Sequence, residues 1–374
     1  MGQCCGASKK GKNVKVLNVR QDDLDEISDE LKTSPDVAMA QEAVRDLPST
    51  KKSARKIEEM TNDALDDKGL SLDAHEVLFK SKTEILEGVI GIQVAESENP
   101  KLAGLKSLPP EEYWRFLMDG KAHKDNDKHL YDRSAGYMAG MMSGLELVVD
   151  RIDEPISVDM IKDLHAAMSE HVTTEAGSGL ARNFPGTLMG RKNFQEQGVK
   201  RGENGWGLCK DFTDDGMDEL GELREELQEA LADDPEPKIN APYFQVNMTK
   251  LGEKDVPVVT AAYQMDTETA QKAVEKLMTC TLAKYQRDVK TAGEDIDGKL
   301  DAIIDCCRKL GQIHPFKDAN GRLIMFGVMT KLLLENGMPP TILSDQGLMI
   351  GLDRDELRRL IKEGQEQVNG MKDE

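Results

Sequence analysis

The stretch that most constrains this chain runs from Arg322 to Glu335, RLIMFGVMTKLLLE, where apolar side chains recur on nearly every side instead of on one stripe. A helix that is apolar all round has no face to give to water, so other elements must wrap it and it must run through the middle of a core. Gly337, followed by Pro339 and Pro340, supplies its stop. The segments available to wrap it also read as helices. They are LDAHEVLFKSKTEILEGVIGI from Leu72, EEYWRFLMDG, SAGYMAGMMSGLELVVDRI, SVDMIKDLHAAMSEHV with Ser157 as N-cap, TETAQKAVEKLMTCTLAKYQRDV and GKLDAIIDCCRKLGQI. Aromatic residues are 4% of the chain while methionine contributes 19 residues, so the core is aliphatic and thioether in character, which suits helices. The expected fold class is therefore mainly α.

Two regions depart from that texture. Residues 1–70 read as a charged arm, with DDLDEISDEL and KKSARKIEEM separated by Pro35 and Pro48. Residues 71–370 form the expected folded domain. Within it, GSGLARNFPGTLMGRKNFQEQGVKRGENGWG suits loops and a β-hairpin, MDELGELREELQEALADD is a charged helix, and YFQVNM and VPVVTAAY are the best strand candidates.

Charge and cysteine usage narrow the partners. With 49 basic against 69 acidic residues the net charge is -20, which argues against nucleic acid, whose binding rests on neutralising phosphates. The cysteines form no CxxC pair and no zinc spacing, which points to a reducing, cytoplasmic compartment. No apolar run is long enough to cross a bilayer, and the N-terminus lacks the apolar core of a secretory signal. Yet MGQCCGASKKGKNVKVLNVR combines Gly2, Cys4 and Cys5 with Lys9, Lys10, Lys12, Lys15 and Arg20 and no acid before Asp22. That is the layout of an acylated tail in which myristate at Gly2 is reinforced by palmitate or by a polybasic cluster at a membrane surface. A weakly basic, solvated tail is the alternative. Acylation requires a eukaryotic enzyme, so it implies a eukaryotic protein or an effector delivered to a host cell membrane.

The chemistry sits just before the apolar helix, in IHPFKDANGRLIMFG. If that helix starts near Gly321, the residues DAN lie at its mouth, where unpaired backbone N–H groups and the positive end of the macrodipole attract an anion. Arg322 adds a fork for phosphate oxygens and Asn320 an amide. Asp318 would repel a bare phosphate but suits a magnesium ion bridging two phosphates. His314 stands before them, held by Pro315 and anchored by Phe316, as a base for reaction near neutral pH. These groups in this order describe a phosphate-bound donor with a base beside it.

HPFKDANGR resembles the signature of the Fic family, H-x-F-x-[D/E]-[A/G]-N-[G/K]-R, at every defined position. The surrounding LGQIHPFKDANGRLIMFGVMTKLLLENGMPPTIL, and SVDMIKDLHAAMSEHV followed by GSGLAR, also resemble that family, over roughly residues 80–365. The resemblance implies a Fic-fold helical bundle with a β-hairpin flap, carrying an inserted segment at about 200–258 before the motif helix. It implies that His314 deprotonates a Ser, Thr or Tyr hydroxyl on a target protein presented through the flap. Asp318 would hold Mg2+, and Asn320, Gly321 and Arg322 the donor's phosphates. Arg182 and Arg191 fall in the flap. The leading expectation is transfer of AMP from ATP to the hydroxyl. Transfer from UTP or CDP-choline, transfer of bare phosphate, and a membrane-tethered binding protein without turnover stay open.

Two further matches bear on that choice. Many members carry a second arginine, three residues after the first, that grips the γ-phosphate; here Met325 occupies the place, and a thioether forms no charge-assisted bond to phosphate. TEILEG, Thr83 to Gly88, matches the family's inhibitory helix, whose glutamate, here Glu87, pairs with that arginine. An ordinary amphipathic helix with an exposed Glu87 is the alternative.

Overall fold

A computed structural model of the chain describes residues 72–125, 128–129, 136–169, 186–188, 212–232, 243–251, 254–262, 267–345 and 347–371. The proposed acylation tail and charged arm, most of the flap with Arg182 and Arg191, and Trp206 lie outside these residues.

The described architecture is mainly α, as expected. Helix α1 spans Leu72–Glu96, and a short α2, Ala103–Lys106, is followed by a 3-10 stretch at Pro110–Phe116 where the sequence reads as an ordinary helix. Prolines 109 and 110 open that stretch and buried Trp114 anchors it. Helices α3, Tyr137–Asp150, and α4, Val158–Ser169, come next, and the Ser157 hydroxyl accepts the Met160 N–H at 3.1 Å as the predicted N-cap. Helix α5, Asp214–Ala232, is the charged helix of the inserted segment. Strands β1, Tyr243–Leu251, and β2, Lys254–Ala262, pair antiparallel from Tyr243↔Ala262 to Leu251↔Lys254, where the β-branched runs point. Helices α6, Thr267–Ala292, and α7, Ile296–Ile313, lead into the motif.

The all-round apolar segment is central, but it is not one uniform α-helix. Asn320–Arg322 (α8) passes into a π-helical stretch, Leu323–Val328, and then into α9, Met329–Glu335. Every residue from Leu323 to Leu334 is buried. The extra residue of the π turn falls immediately beside the motif, a placement common at functional sites. Gly327 helps to explain the close packing there, because a Cβ on it would stand 2.8 Å from the Met168 sulfur of α4. The predicted stop is a Schellman arrangement: Gly337 takes φ 74°, its N–H donates to Leu334 O, and the Met338 N–H donates to Leu333 O. The chain ends on α10, Leu348–Gly351, and α11, Arg354–Gly370, whose N-cap Asp353 accepts the Glu356 N–H.

Helix α5 is built into the body through α7. Arg308, fully buried, donates to the Glu219 carboxylate at 2.6 Å and to Gly216 O at 2.9 Å. Lys309 pairs with Glu226, and Arg224 donates twice to Gln312 Oε1 at 3.3 Å. The cations Arg308 and Lys309 are buried while their acids reach solvent, so these contacts satisfy the buried charges and brace the last turns of the helix that carries His314.

Candidate active site

Helix α7 ends at Ile313 and hands over to His314 in the left-handed region, φ 49° and ψ 62°, with the His314 N–H closing on Leu310 O at 3.0 Å. Five residues later Ala319 turns left-handed again at φ 63°, and α8 begins. Two positive-φ residues that are not glycine bracket the loop, a conformation kept only where the surroundings over-determine it.

Asn320 does most of that. Its Oδ1 accepts the Phe316 N–H at 2.9 Å while its Nδ2 donates to Phe316 O at 2.8 Å, so the amide orientation is fixed from both sides. The same Nδ2 lies 3.0 Å from His314 Nε2. An amide nitrogen only donates, so in this arrangement Nε2 carries no proton and accepts from Asn320, a bond that a target hydroxyl would have to displace to reach the same lone pair. Both residues are buried. Asp318 Oδ1 accepts the Ala319 N–H at 2.8 Å, which aims the carboxylate along the mouth of α8. Arg322 lies over the Tyr137 ring, 5.4 Å from its centroid, and the Tyr137 hydroxyl is anchored on Leu117 O.

The structure thus brings His314, Asp318, Asn320, Gly321 and Arg322 together at one helix N-terminus. A partly open pocket is lined by His314, Asn320 and Gly321 of this group, with Arg308 and Gln312 as further polar residues; Asp318 and Arg322 are not in its lining. Its other wall is apolar: Ile324, Met325, Met349 and Ile350. Met325 is 6% exposed and occupies the place where the resemblance puts a second arginine. Among the described residues no group of three or more His, Cys, Asp or Glu stands ready for a metal. A lone carboxylate such as Asp318 fits magnesium, which takes its remaining oxygens from phosphates and water.

Glu87 is not the exposed residue of the ordinary-helix alternative. It is 6% exposed, and its carboxylate is ion-paired with Lys128. Thr83, also buried, donates its hydroxyl to Phe79 O within α1 at 2.9 Å. Burial pushes the Glu87 carboxyl up to about 7, with Lys128 opposing the rise. Its folded pKa lies above its ordinary value of 4.5, so folding takes up a proton in this window. The resulting stability is full below pH about 4.5 and is lost as the pH rises through about 7. Glu87→Gln is expected to remove a fall in unfolding free energy on the order of 3 kcal/mol between pH 5 and pH 8. Denaturant titrations of both proteins at the two pH values check it, and equal slopes would show that Glu87 does not titrate there.

Some participants were not picked out from the sequence: His165, which touches the motif loop, Lys128, and the bracing set Arg308, Gln312, Arg224 and Glu219. The available signals were weak. His165 is one of only six histidines, and Arg308 interrupts the apolar face of α7.

Comparison with known proteins follows the same direction. No protein-family model matches the chain. It is similar to phosphocholine transferase AnkX of Legionella pneumophila, with 27% identity over 283 residues. That match covers 71% of this chain, and the chain spans only 28% of the length of that relative. Its similarity is therefore to part of a bacterial phosphocholine transferase.

Proposed function

We propose that this chain is a Fic-like transferase that moves a phosphate-linked group onto a Ser, Thr or Tyr hydroxyl of a target protein, with CDP-choline favoured as donor. The observation that carries the choice of donor is Met325, buried in the wall of the cavity beside His314. A triphosphate tail reaching that position would meet a thioether where it needs a cation. A donor with two phosphates makes no such demand. The similarity to a phosphocholine transferase supports the same donor. ATP, the donor expected from the signature alone, becomes the second reading.

In this reading His314 Nε2 takes the proton of the target hydroxyl. The hydroxyl oxygen attacks the phosphorus that bears choline, a new O–P bond forms, and the bond to the bridging oxygen breaks as CMP leaves. The N–H groups at the start of α8, with Arg322, hold the phosphate oxygens, while the Asn320 amide, whose two N–H groups go to Phe316 O and His314 Nε2, holds the loop instead of the donor. Asp318 would hold the magnesium ion, whose part is to neutralise charge between the phosphates. Catalysis comes mainly from positioning and charge stabilisation in a preformed site.

A flap containing Arg182 and Arg191 would present the target, and acylation at Gly2, Cys4 and Cys5 would attach the chain to a membrane. Among the described residues no helix is long and apolar enough to cross a membrane. The test supplies wild-type and Met325→Arg protein with cell lysate and, in turn, CDP-choline, ATP, UTP and GTP, and identifies modified peptides by mass spectrometry. Wild type is expected to leave phosphocholine on hydroxyl side chains, and Met325→Arg to gain use of ATP. An AMP adduct from wild type alone would move the donor to ATP, and no adduct from any donor would overturn the enzyme reading.

A further inference from the structure

One buried histidine outside the signature connects three parts of the molecule at the site. His165 of α4 is 1% exposed, and its ring stacks on Phe316 with centroids 3.9 Å apart and planes 6° from parallel. Its Nδ1 accepts the Gly186 N–H at 3.0 Å. A backbone N–H pointing at Nδ1 requires a lone pair there, so the proton of the neutral ring sits on Nε2. Nε2 lies 3.2 Å from Asp318 O and therefore donates to it.

We propose that His165 is a positioning residue, which ties the motif loop at Phe316 and Asp318 to α4 and to Gly186 and so sets where the Asp318 carboxylate and the α8 N-terminus face the donor. This rests on the reading of His314–Arg322 as the transfer site.

Three observations support it. Asn320 and Asp318 tie the loop bracketed by His314 and Ala319 to itself; His165 adds an anchor from a different helix, at the Phe316 ring and at the carbonyl of Asp318. Gly186 reaches the ring by a close approach that a side chain would block, since a Cβ would stand 2.9 Å from Lys162 O, and its φ of 62° suits glycine. Gly186 also belongs to the stretch that the sequence assigns to the flap, so one imidazole joins the base of that stretch to the phosphate-binding loop.

The substitutions separate the ring from its hydrogen bonds. His165→Phe keeps a flat ring against Phe316 and removes both bonds. His165→Gln places an amide N–H near the position of Nε2 and can donate to Asp318 O, without the stack. Transfer by His165→Phe is expected to fall about 10- to 100-fold, chiefly in kcat, because a misplacement of about 1 Å costs on that order. His165→Gln is expected to recover part of the loss. Side-chain 15N NMR of the full chain at pH 7, assigned by comparison with His165→Phe, is expected to show His165 with bare Nδ1 and protonated Nε2. The opposite tautomer, or wild-type kcat in His165→Phe, would overturn the proposal. The NMR arm needs no turnover: absence of transfer by wild type with every donor defeats the functional reading, while a wrong tautomer defeats this one. If His165→Phe does not fold, the tautomer, assigned by comparison with His165→Gln, and the kcat of His165→Gln decide, and a Gln variant more than 100-fold impaired counts against the Asp318 contact as the operative one.

Discussion

His314→Asn is expected to lower transfer by about 10²–10⁴-fold, the range that a positioned general base contributes, while the protein stays folded. Asparagine is the informative replacement because residue 314 caps α7 in the left-handed region, φ 49°, and donates its backbone N–H to Leu310 O. Alanine there would add a backbone penalty of about 1–2 kcal/mol and confuse lost chemistry with lost order, whereas asparagine tolerates the conformation. The loss should fall on kcat, with donor binding little changed, because the proposed function gives the phosphates to α8 and not to the imidazole. Single-turnover rates and donor affinity for the two proteins check it. A variant within tenfold of wild type would remove His314 from the base role.

Asn320→Ala is expected to damage both fold and activity. The side chain satisfies the N–H and the C=O of Phe316 and also touches the bare nitrogen of His314. Leaving two buried backbone groups without partners costs about 1–3 kcal/mol each, so the unfolding free energy should drop by about 2–5 kcal/mol. Transfer should fall at least about 100-fold, because the loop that aims His314 and Asp318 loses its internal tie. Asn320→Asp divides the two effects. Its Oδ1 can still accept the Phe316 N–H, but a carboxylate replaces the donor facing His314 Nε2 and favours the protonated imidazole. The acid limb of the pH–rate profile is therefore expected to move to higher pH in Asn320→Asp. Denaturant midpoints and pH profiles measure these outcomes, and an unshifted limb would show that Asn320 does not control the protonation of His314.

Legibility from sequence varied with the kind of information. The helices were readable where they carry a strong period or a defined cap: Ser157 caps α4, and Gly337 ends α9 with the hydrogen bonds its position implies. The strands at Tyr243–Leu251 and Lys254–Ala262 were readable from β-branched runs. The π turn at Leu323–Val328 was not, because an all-apolar run has no face whose drift could reveal an extra residue. The 3-10 stretch at Pro110–Phe116 was hidden for a related reason: its apolar residues suit any tight helix. Likewise the buried, ion-paired state of Glu87 depends on Lys128, 41 positions away in the chain.

By itself the sequence determined the groups on offer: a histidine, a carboxylate, an amide and an arginine in fixed order before a helix that has to be central, with a methionine three residues after that arginine. Those properties are local, carried by residue type and spacing. Tertiary structure alone decided how the groups are held. The Asn320 amide locks the loop and leaves His314 Nε2 bare, α5 braces α7 through Arg308 and Gln312, and His165 reaches the loop from another helix. The His165 contact with Asp318 joins residues 153 positions apart. No local pattern encodes such a pairing, because it arises only when packing brings two distant helices to the same few ångströms.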